Sequence, residues 1–307
     1  MDDFFTTIGN TPLVEIKHLT KNVQPVQVFA KLEWFNPGGS VKDRAGFRMI
    51  QAGIKSGKLN KNKIILDATS GNTGIAYAMI GARLGYRVQL VVPKNLNSER
   101  KLMLLAYGAE LIYSEAKEGT DGAQRLCLDI YKKTPEKFFY PDQYNNNENW
   151  RAHFESTGPE IWKQTKGTLT HFVAGLGTSG TFMGTGRFLK KKKSSVQLIA
   201  AQPDSPMHGL EGWKHMKTAI RPGIYEEKLA DEIIDVSTEE AYDMTRRLAK
   251  EEGLFAGVST GAAMSVSLKL AEKIRSAKMG SAPLVIVTIF PDGGDRYMNE
   301  KFWGFRE

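Results

Sequence analysis

The chain has 307 residues, of which 41% are hydrophobic and 25% are charged, as in ordinary globular proteins. Its 42 basic and 34 acidic residues give a net charge of +8, but the basic residues are spread along the chain. The one dense basic run, residues 190–193, falls at the end of a predicted helix, where positive charge suits the helix dipole. No nucleic-acid-binding signature accompanies it, so we expect no nucleic-acid partner.

The chain has a single cysteine, Cys127, which excludes an intrachain disulfide and fits a reducing, cytoplasmic location. No segment approaches the roughly 20 apolar residues of a membrane span, and the start "MDDFF" lacks the apolar run of a signal peptide. The five histidines show no metal-ligand spacing. We therefore expect neither a membrane association nor a metal site.

Short β-branched runs alternate with helical periodicity along most of the chain. Strands are predicted at residues 26–33, 63–68, 86–93, 109–114, 170–175, 195–203, 230–237 and 283–290, and helices at 40–56, 72–84, 98–108, 121–133, 150–164, 179–191, 238–252 and 261–276. This alternation predicts an α/β fold of the doubly wound kind with mostly parallel sheets. A polar stretch at residues 141–149 interrupts the series, which indicates two lobes that meet near residue 148.

Two loops at predicted strand ends, where parallel sheets bind ligands, are rich in hydrogen-bond donors. The loop "TSGNTG" (69–74) precedes a helix and suits a carboxylate or a phosphate, although an ordinary helix cap would use the same residue types. The loop "GLGTSGT" (175–181) also leads into a helix and suits a phosphate. It lacks the ending of a Walker A loop and the context of a dinucleotide fingerprint.

Two further helix starts contain candidate residues for chemistry. Ser259 lies in "AGVSTGAA" (256–263), where it could be only a cap, and Lys42 lies in "NPGGSVKDR" (36–44), within the first turn of a predicted helix. A helix N-terminus disfavours a cation, so Lys42 is either a solvated surface lysine or an amine held beside an anion. A phosphate loop, a carboxylate loop and such a lysine together indicate a phosphorylated cofactor that bonds to lysine, and pyridoxal phosphate forms a Schiff base of this kind.

The motifs "IGNTPLV" (8–14), "NPGGSVKDR", "TSGNTG", "GLGTSGT" and "GVSTGAA" (257–263) resemble, in order and spacing, the markers of the cysteine synthase (O-acetylserine sulfhydrylase) group of fold-type II pyridoxal-phosphate enzymes. The resemblance covers essentially the whole chain and is closer to the B-type isozymes. It implies the tryptophan synthase β-like fold, with two doubly wound, mostly parallel open-sheet lobes. Residues 40–148 would form a smaller, mobile substrate-binding domain, and residues 1–39 with 149–307 a larger domain that binds the cofactor phosphate. It also implies a homodimer.

The resemblance further implies roles for individual residues. Lys42 corresponds to the catalytic lysine that holds the cofactor as a Schiff base. Asn72 would lie beside the cofactor's phenolic oxygen, and Ser259 would face its pyridine nitrogen. The cofactor phosphate would be bound by Gly177, Thr178, Ser179, Gly180 and Thr181, and the substrate carboxylate by Thr69, Ser70, Gly71, Asn72, Thr73 and Gln143. Ser179 stands where many relatives have glycine.

The reaction that the resemblance implies is a β-replacement, in which O-acetyl-L-serine and sulfide give L-cysteine through an aminoacrylate intermediate. O-phosphoserine is the second choice of donor, because in the basic segment 208–225 Lys214 is the closest match to a basic residue of relatives that use it. A solvated basic loop is the slightly preferred explanation of this segment, so O-acetylserine remains the first choice. Cystathionine β-synthase is a further alternative, and a non-catalytic module for anions or nucleic acid is one from another class. A partner serine acetyltransferase is compatible with the family but has no support in the sequence.

Overall fold

The computed structural model describes residues 3–69, 71–277 and 284–304. Its strands are β1 Leu13–Ile16, β2 Gln27–Leu32, β3 Ile64–Ala68, β4 Val88–Pro93, β5 Glu110–Ser114, β6 Phe138–Phe139, β7 His171–Gly175, β8 Gln197–Pro203, β9 Glu232–Val236 and β10 Val285–Phe290. Its α-helices are α1 Lys42–Lys55, α2 Asn72–Leu84, α3 Ser98–Ala106, α4 Gly119–Lys133, α5 Asn147–Glu155, α6 Thr157–Gln164, α7 Gly180–Lys192, α8 Thr238–Glu252 and α9 Val258–Ser276. Short 3₁₀ helices include Glu33–Phe35 and Gly294–Tyr297.

The strands form two sheets. The larger has the order β1-β2-β10-β7-β8-β9 and is parallel except for the pairing of β1 with β2, and the smaller has the order β5-β4-β3-β6 and is parallel throughout. Strands β3–β6 with helices α2–α4 are called the smaller lobe below, and the larger sheet with α7–α9 the larger lobe. This architecture confirms the predicted α/β class with mostly parallel sheets.

Each sheet is buried because its strands carry apolar residues on both faces. All five residues of β3 and all six of β10 are buried, as expected for parallel strands covered by helices. The hydrophobic core around β3 and α2 also includes Phe5 from the N-terminal 3₁₀ helix. The Phe5 ring stacks on the ring of Phe47 in α1, with 4.6 Å between the ring centroids. The N-terminus therefore packs on the side of the smaller sheet.

Most helix bounds lie within two or three residues of the predictions, and two differences matter for the site. The predicted helix at 150–164 is two helices, α5 and α6, because the backbone leaves helical geometry at Ser156, whose hydroxyl donates to the Ala152 carbonyl at 2.6 Å. Helix α9 begins at Val258 rather than at residue 261, so Ser259 lies inside its first turn. Residue 283, the predicted start of β10, lies outside the described residues.

Cys127 lies on α4, fully buried in a cluster between that helix and the smaller sheet. Burial raises the pKa of its thiol, which keeps the sulfur protonated and unreactive. In the part of the chain that the structure describes, no helix is long and apolar enough to span a membrane.

Candidate active site

The carboxyl ends of five strands lead into segments that meet at one cleft between the two sheets. Strand β3 leads to residues 69–73, β7 to 176–181, β8 to the segment 204–225, β10 to 291–297, and β2 to the turn before α1. Two small adjoining cavities of about 50 Å³ each lie there and share Lys42, Asn72, Gly177 and Thr178 in their linings. An outer cavity of about 590 Å³ opens from the same cleft.

Lys42 is the first residue of α1 and faces both inner cavities. The strand end of β10 fixes this helix start, since the Val41 amide donates to the Pro291 carbonyl at 2.9 Å and Ser40 forms a β-bridge with Asp292. Burial lowers the pKa of the Lys42 amine, and the Asp292 carboxylate partly opposes that shift. An amine with a lowered pKa is suited to act as a base or to bond to a carbonyl carbon near neutral pH.

The loop after β3 is organised around two buried side chains. The Thr69 hydroxyl accepts from the amides of Gly71 at 3.0 Å and Gly74 at 3.2 Å. Thr73 donates to the Gln143 amide oxygen at 2.8 Å, and Gln143 donates to the Ala68 carbonyl at 2.6 Å. Gln143 is thus joined to this loop, whereas Ser70 lies outside the described residues.

Asn72 is held by residues that the sequence analysis did not identify. Its amide nitrogen donates to Asp292 at 2.7 Å, and its amide oxygen accepts from Arg296 at 2.6 Å. Tyr297 donates to the same Asp292 oxygen at 2.7 Å. The signal for this group was available, because the stretch "PDGGDRY" directly follows the last predicted strand, where site residues of a parallel sheet are expected.

The glycine loop after β7 forms a close-fitting cradle at the N-terminus of α7. A Cβ at Gly177 would overlap the Gly212 carbonyl oxygen, and one at Gly180 would overlap the side chain of Asn149. Asn149 donates to the Thr178 hydroxyl at 3.1 Å and thereby fixes the loop. Within the described residues the buried Ser179 hydroxyl has no protein hydrogen-bond partner. A helix N-terminus with such an unsatisfied hydroxyl fits an anionic group such as a phosphate.

Two neutral groups complete this end of the cavity. Thr181 contacts the ring of His153 at 3.3 Å, and burial lowers the pKa of His153 to about 3, so the imidazole is neutral. Ser259, buried in the first turn of α9, lines the same inner cavity as Lys42 and the glycine loop. In the described ranges, no group of three or more His, Cys, Asp or Glu residues is placed to hold a metal ion.

Lys214 is buried rather than solvated. Its ammonium pairs with Asp121 of α4 at 2.6 Å and lies 5.0 Å from the centroid of the Tyr144 ring. Nearby, the buried Arg100 of α3 forms an ion pair with Glu211. Both pairs join the segment after β8 to the smaller lobe. The sequence predicted neither pair, and Lys214 is the only one of the four residues that it identified as a site residue.

The structure brings most of the predicted site residues to these two cavities. The lining includes Lys42, Thr69, Asn72, Thr73, Gln143, Gly177, Thr178, Ser179, Gly180, Thr181, Lys214 and Ser259. Gly71 is buried beside Arg100 and does not line them. The site therefore combines a lysine of lowered pKa, an anion cradle and a second donor-rich loop.

Comparisons with known proteins point to the same chemistry. Residues 4–292 match the model of the pyridoxal-phosphate dependent enzyme family. The chain is 51% identical over 293 residues to the cysteine synthase of Aquifex aeolicus, covering 95% of this chain and 89% of that protein. It is 41% identical over 300 residues to cysteine synthase B of Escherichia coli, covering 97% and 95% of the two chains.

A solved structure gives the corresponding result for the fold. The crystal structure of cysteine synthase from Entamoeba histolytica superposes with a TM-score of 0.91 at 37% identity, covering 100% of this chain and 92% of that one. With the family match over most of its length, the chain belongs to the pyridoxal-phosphate dependent enzymes, in the group that includes the cysteine synthases.

Proposed function

We propose that this protein is a pyridoxal-phosphate-dependent cysteine synthase that makes L-cysteine from O-acetyl-L-serine and sulfide. The observation that carries the proposal is the shared cavity, in which the Lys42 amine faces both the glycine loop and the loop joined to Gln143. Relatives at 40–51% identity over almost the whole chain are cysteine synthases, which supports the same reaction here.

The residues present fit the cofactor. Residues 177–181 would bind its phosphate, since the glycines leave room that a Cβ would fill and the Ser179 hydroxyl is free for such a ligand within the described residues. Lys42 would hold the cofactor covalently, with Asn72 and Ser259 beside its ring. When bound, pyridoxal phosphate supplies an electron sink for the negative charge that develops at the substrate Cα.

Lys42 also provides the base of the reaction. The neutral Lys42 amine would accept the proton from the substrate Cα and later return it. Burial favours this role by lowering the pKa of Lys42, since a base must be unprotonated at the working pH.

The loop at residues 69–73 would bind the substrate carboxylate. Its backbone amides lie at the N-terminus of α2, where an anion is favoured. The bonds from Thr73 to Gln143 and from Gln143 to Ala68 fix the position of this loop beside the cavity.

We further propose the arrangement of the whole protein. Residues 40–148 would form the smaller, mobile domain, because they contain the complete four-stranded sheet, and residues 1–39 with 149–307 the larger one. A homodimer is proposed from the family resemblance. A cytoplasmic location is proposed because the one cysteine is a buried thiol, as suits a reducing compartment.

The alternatives have less support than this reaction. Binding of O-phosphoserine would depend on the positive charge of Lys214, which is already paired with Asp121. Neither a larger second substrate, as in cystathionine β-synthase, nor a non-catalytic binding role is favoured by the contacts around Lys42. Because the similar proteins include cysteine synthases, a catalytic function has more support than a non-catalytic binding role.

The test is to locate the cofactor and then measure the product. The purified protein should carry pyridoxal phosphate that borohydride reduction fixes to Lys42, as read by peptide mass spectrometry, and should form cysteine from O-acetyl-L-serine and sulfide. Lys42→Ala should abolish both results, whereas Lys55→Ala, at the exposed far end of the same helix, should leave both intact. An unmodified Lys42 in the reduced wild-type protein would refute the proposal.

A further inference from the structure

We propose that Arg296 is a positioning residue for the cofactor: it holds the side-chain amide of Asn72 in the orientation that presents an N–H group to the phenolic oxygen of pyridoxal phosphate. The inference rests on the proposed function and deepens it, since it assigns a role to a residue behind the cavity wall. The linings of the two inner cavities include Asn72 but not Arg296.

Arg296 binds two parts of the site at once. It is buried, with 2% of its surface exposed, and lies in the 3₁₀ helix Gly294–Tyr297 that follows β10. One guanidinium nitrogen donates to the Asn72 amide oxygen at 2.6 Å, and the other terminal nitrogen donates to the Gly38 carbonyl. Because Gly38 belongs to the turn that leads into Lys42, a single planar group joins Asn72 to the start of α1.

The partners of Asn72 determine which way its amide faces. The amide oxygen accepts from Arg296, and the amide nitrogen donates to Asp292 at 2.7 Å. A guanidinium can only donate, and the Asp292 oxygen already acts as an acceptor for Tyr297. An amide rotated by 180° would place donor against donor and acceptor against acceptor. The orientation, which is ambiguous for an isolated asparagine, is therefore fixed from both sides.

This orientation decides what the Asn72 amide can offer to a ligand. An amide nitrogen carries two hydrogens, and Asp292 binds one of them, so within the described residues the second is available beside Lys42. The resemblance places Asn72 beside the phenolic oxygen of the cofactor. An N–H donor there favours the ionised oxygen, whereas an amide oxygen in its place would favour the protonated one.

The turn before α1 is shaped around the guanidinium. Gly39 has a φ of 75°, a conformation that suits glycine, and a Cβ at this position would overlap the Arg296 guanidinium. The neighbouring Gly38 is held on both sides, because its amide donates to Asp43 at 2.6 Å while its carbonyl accepts from Arg296. The backbone thus leaves space for Arg296 and then binds it.

The experiment uses two variants that disturb the guanidinium in different ways. Arg296→Lys keeps the positive charge but lacks the planar fork that binds two acceptors at once, and Gly39→Ala pushes against the guanidinium. Arg44→Lys is the matched control for the first, since it makes the same exchange at a buried arginine that pairs with Glu33 instead. Gly57→Ala is the control for the second. Gly57 has a similar φ of 71°, and an added Cβ there would meet no described atom within 4 Å.

The absorption spectrum of the bound cofactor is recorded without substrate, and its dissociation constant is measured by fluorescence titration. We expect Arg296→Lys and Gly39→Ala to shift the absorption to shorter wavelength, as the protonated phenolic oxygen requires. Both should bind the cofactor about tenfold more weakly, the loss expected for one hydrogen bond to a charged group. Arg44→Lys and Gly57→Ala should keep the wild-type spectrum and affinity. In an Asn72→Ala background, Arg296→Lys should cause no further shift.

A wild-type spectrum in both folded variants would overturn the inference, and so would an equal shift in the Asn72→Ala background, because Arg296 would then not act through Asn72. Cysteine formation by the wild type is a separate result. Its absence would refute the proposed function, whereas the spectra would still decide the role of Arg296, because they need no substrate.

Discussion

The position of Lys42 shows how the surroundings of one residue offset an unfavourable location. A charged amine at the first residue of a helix is disfavoured by the helix dipole, and burial adds to that effect by lowering its pKa. The sequence predicted that Lys42 would lie in the first turn, and this prediction is confirmed. It did not predict Asp292, the carboxylate that acts in the opposite direction, because that contact depends on pairing between distant parts of the chain.

The first prediction concerns the pH dependence that Asp292 imposes. The Asp292 carboxylate raises the pKa of Lys42, so Asp292→Asn should lower that pKa further and let the amine stay unprotonated at lower pH. We expect the acidic limb of the kcat profile to move to lower pH. Asp295→Asn removes the same charge from an exposed neighbour and should leave the limb in place. A shift of the Asp292→Asn profile to higher pH would contradict the assignment.

At the scale of elements, the strand-to-helix loops were the most predictable part of the site. Strand ends, helix starts and glycine-rich loops have local signals, and α2 and α8 begin and end where they were predicted. The break between α5 and α6 was missed, because the apolar periodicity continues through Ser156. That break depends on a contact with another helix, since the Ser156 hydroxyl also accepts from Arg44 at 3.1 Å.

The second prediction concerns the strained residue of the glycine loop. Ser179 has a φ of 68°, a left-handed conformation that costs a residue with a Cβ roughly 1–2 kcal/mol. We expect Ser179→Gly to raise the melting temperature of the cofactor-free protein while it weakens binding of pyridoxal phosphate, because the buried hydroxyl would be lost.

Lys166 supplies the control for that substitution. It has a φ of 51° in an exposed turn before β7, so Lys166→Gly relieves similar strain away from the site. This variant should gain stability and keep its cofactor affinity. If Ser179→Gly bound the cofactor as tightly as the wild type in a fluorescence titration, the hydroxyl would have no role in phosphate binding.

At the scale of the whole molecule, the fold class was readable from the sequence but the order of the strands was not. Alternating strands and helices indicate parallel sheets wherever they occur. The insertion of β10 between β2 and β7 depends on pairing between opposite ends of the chain, which has no local signal. The same is true of a buried network of charges that joins α1 to β2 and α6.

Arg44 is the centre of that network. Its guanidinium contacts Glu33 at 2.7 Å and Glu160 at 2.6 Å, and Lys31 also contacts Glu160 at 2.7 Å. The side chains of Arg44, Glu33 and Lys31 are almost completely buried. The two carboxylates thus depend on two cations for their compensation, and the network links elements that are far apart in the sequence.

The third prediction is that Arg44→Met destabilises the protein by about 3–5 kcal/mol, because removing one member of a buried ion pair leaves its partner uncompensated. Arg48→Met is the matched control on the same helix. Arg48 pairs with Glu148 and Glu155 but is one-third exposed, so its loss should cost at most about 1 kcal/mol. Melting temperatures from calorimetry compare the two variants. If the two variants had similar melting temperatures, the buried network would contribute no more to the stability of the protein than an exposed ion pair does.

The buried position of Cys127 has a practical consequence. Because the chain has no other cysteine and this thiol is fully enclosed beside the smaller sheet, thiol-directed maleimide and nitroxide reagents find no accessible native thiol in the folded protein. A cysteine introduced on the surface of each lobe would therefore carry the only spectroscopic labels. Distances between two such labels, measured with and without substrate, would test directly whether the smaller lobe moves relative to the larger one.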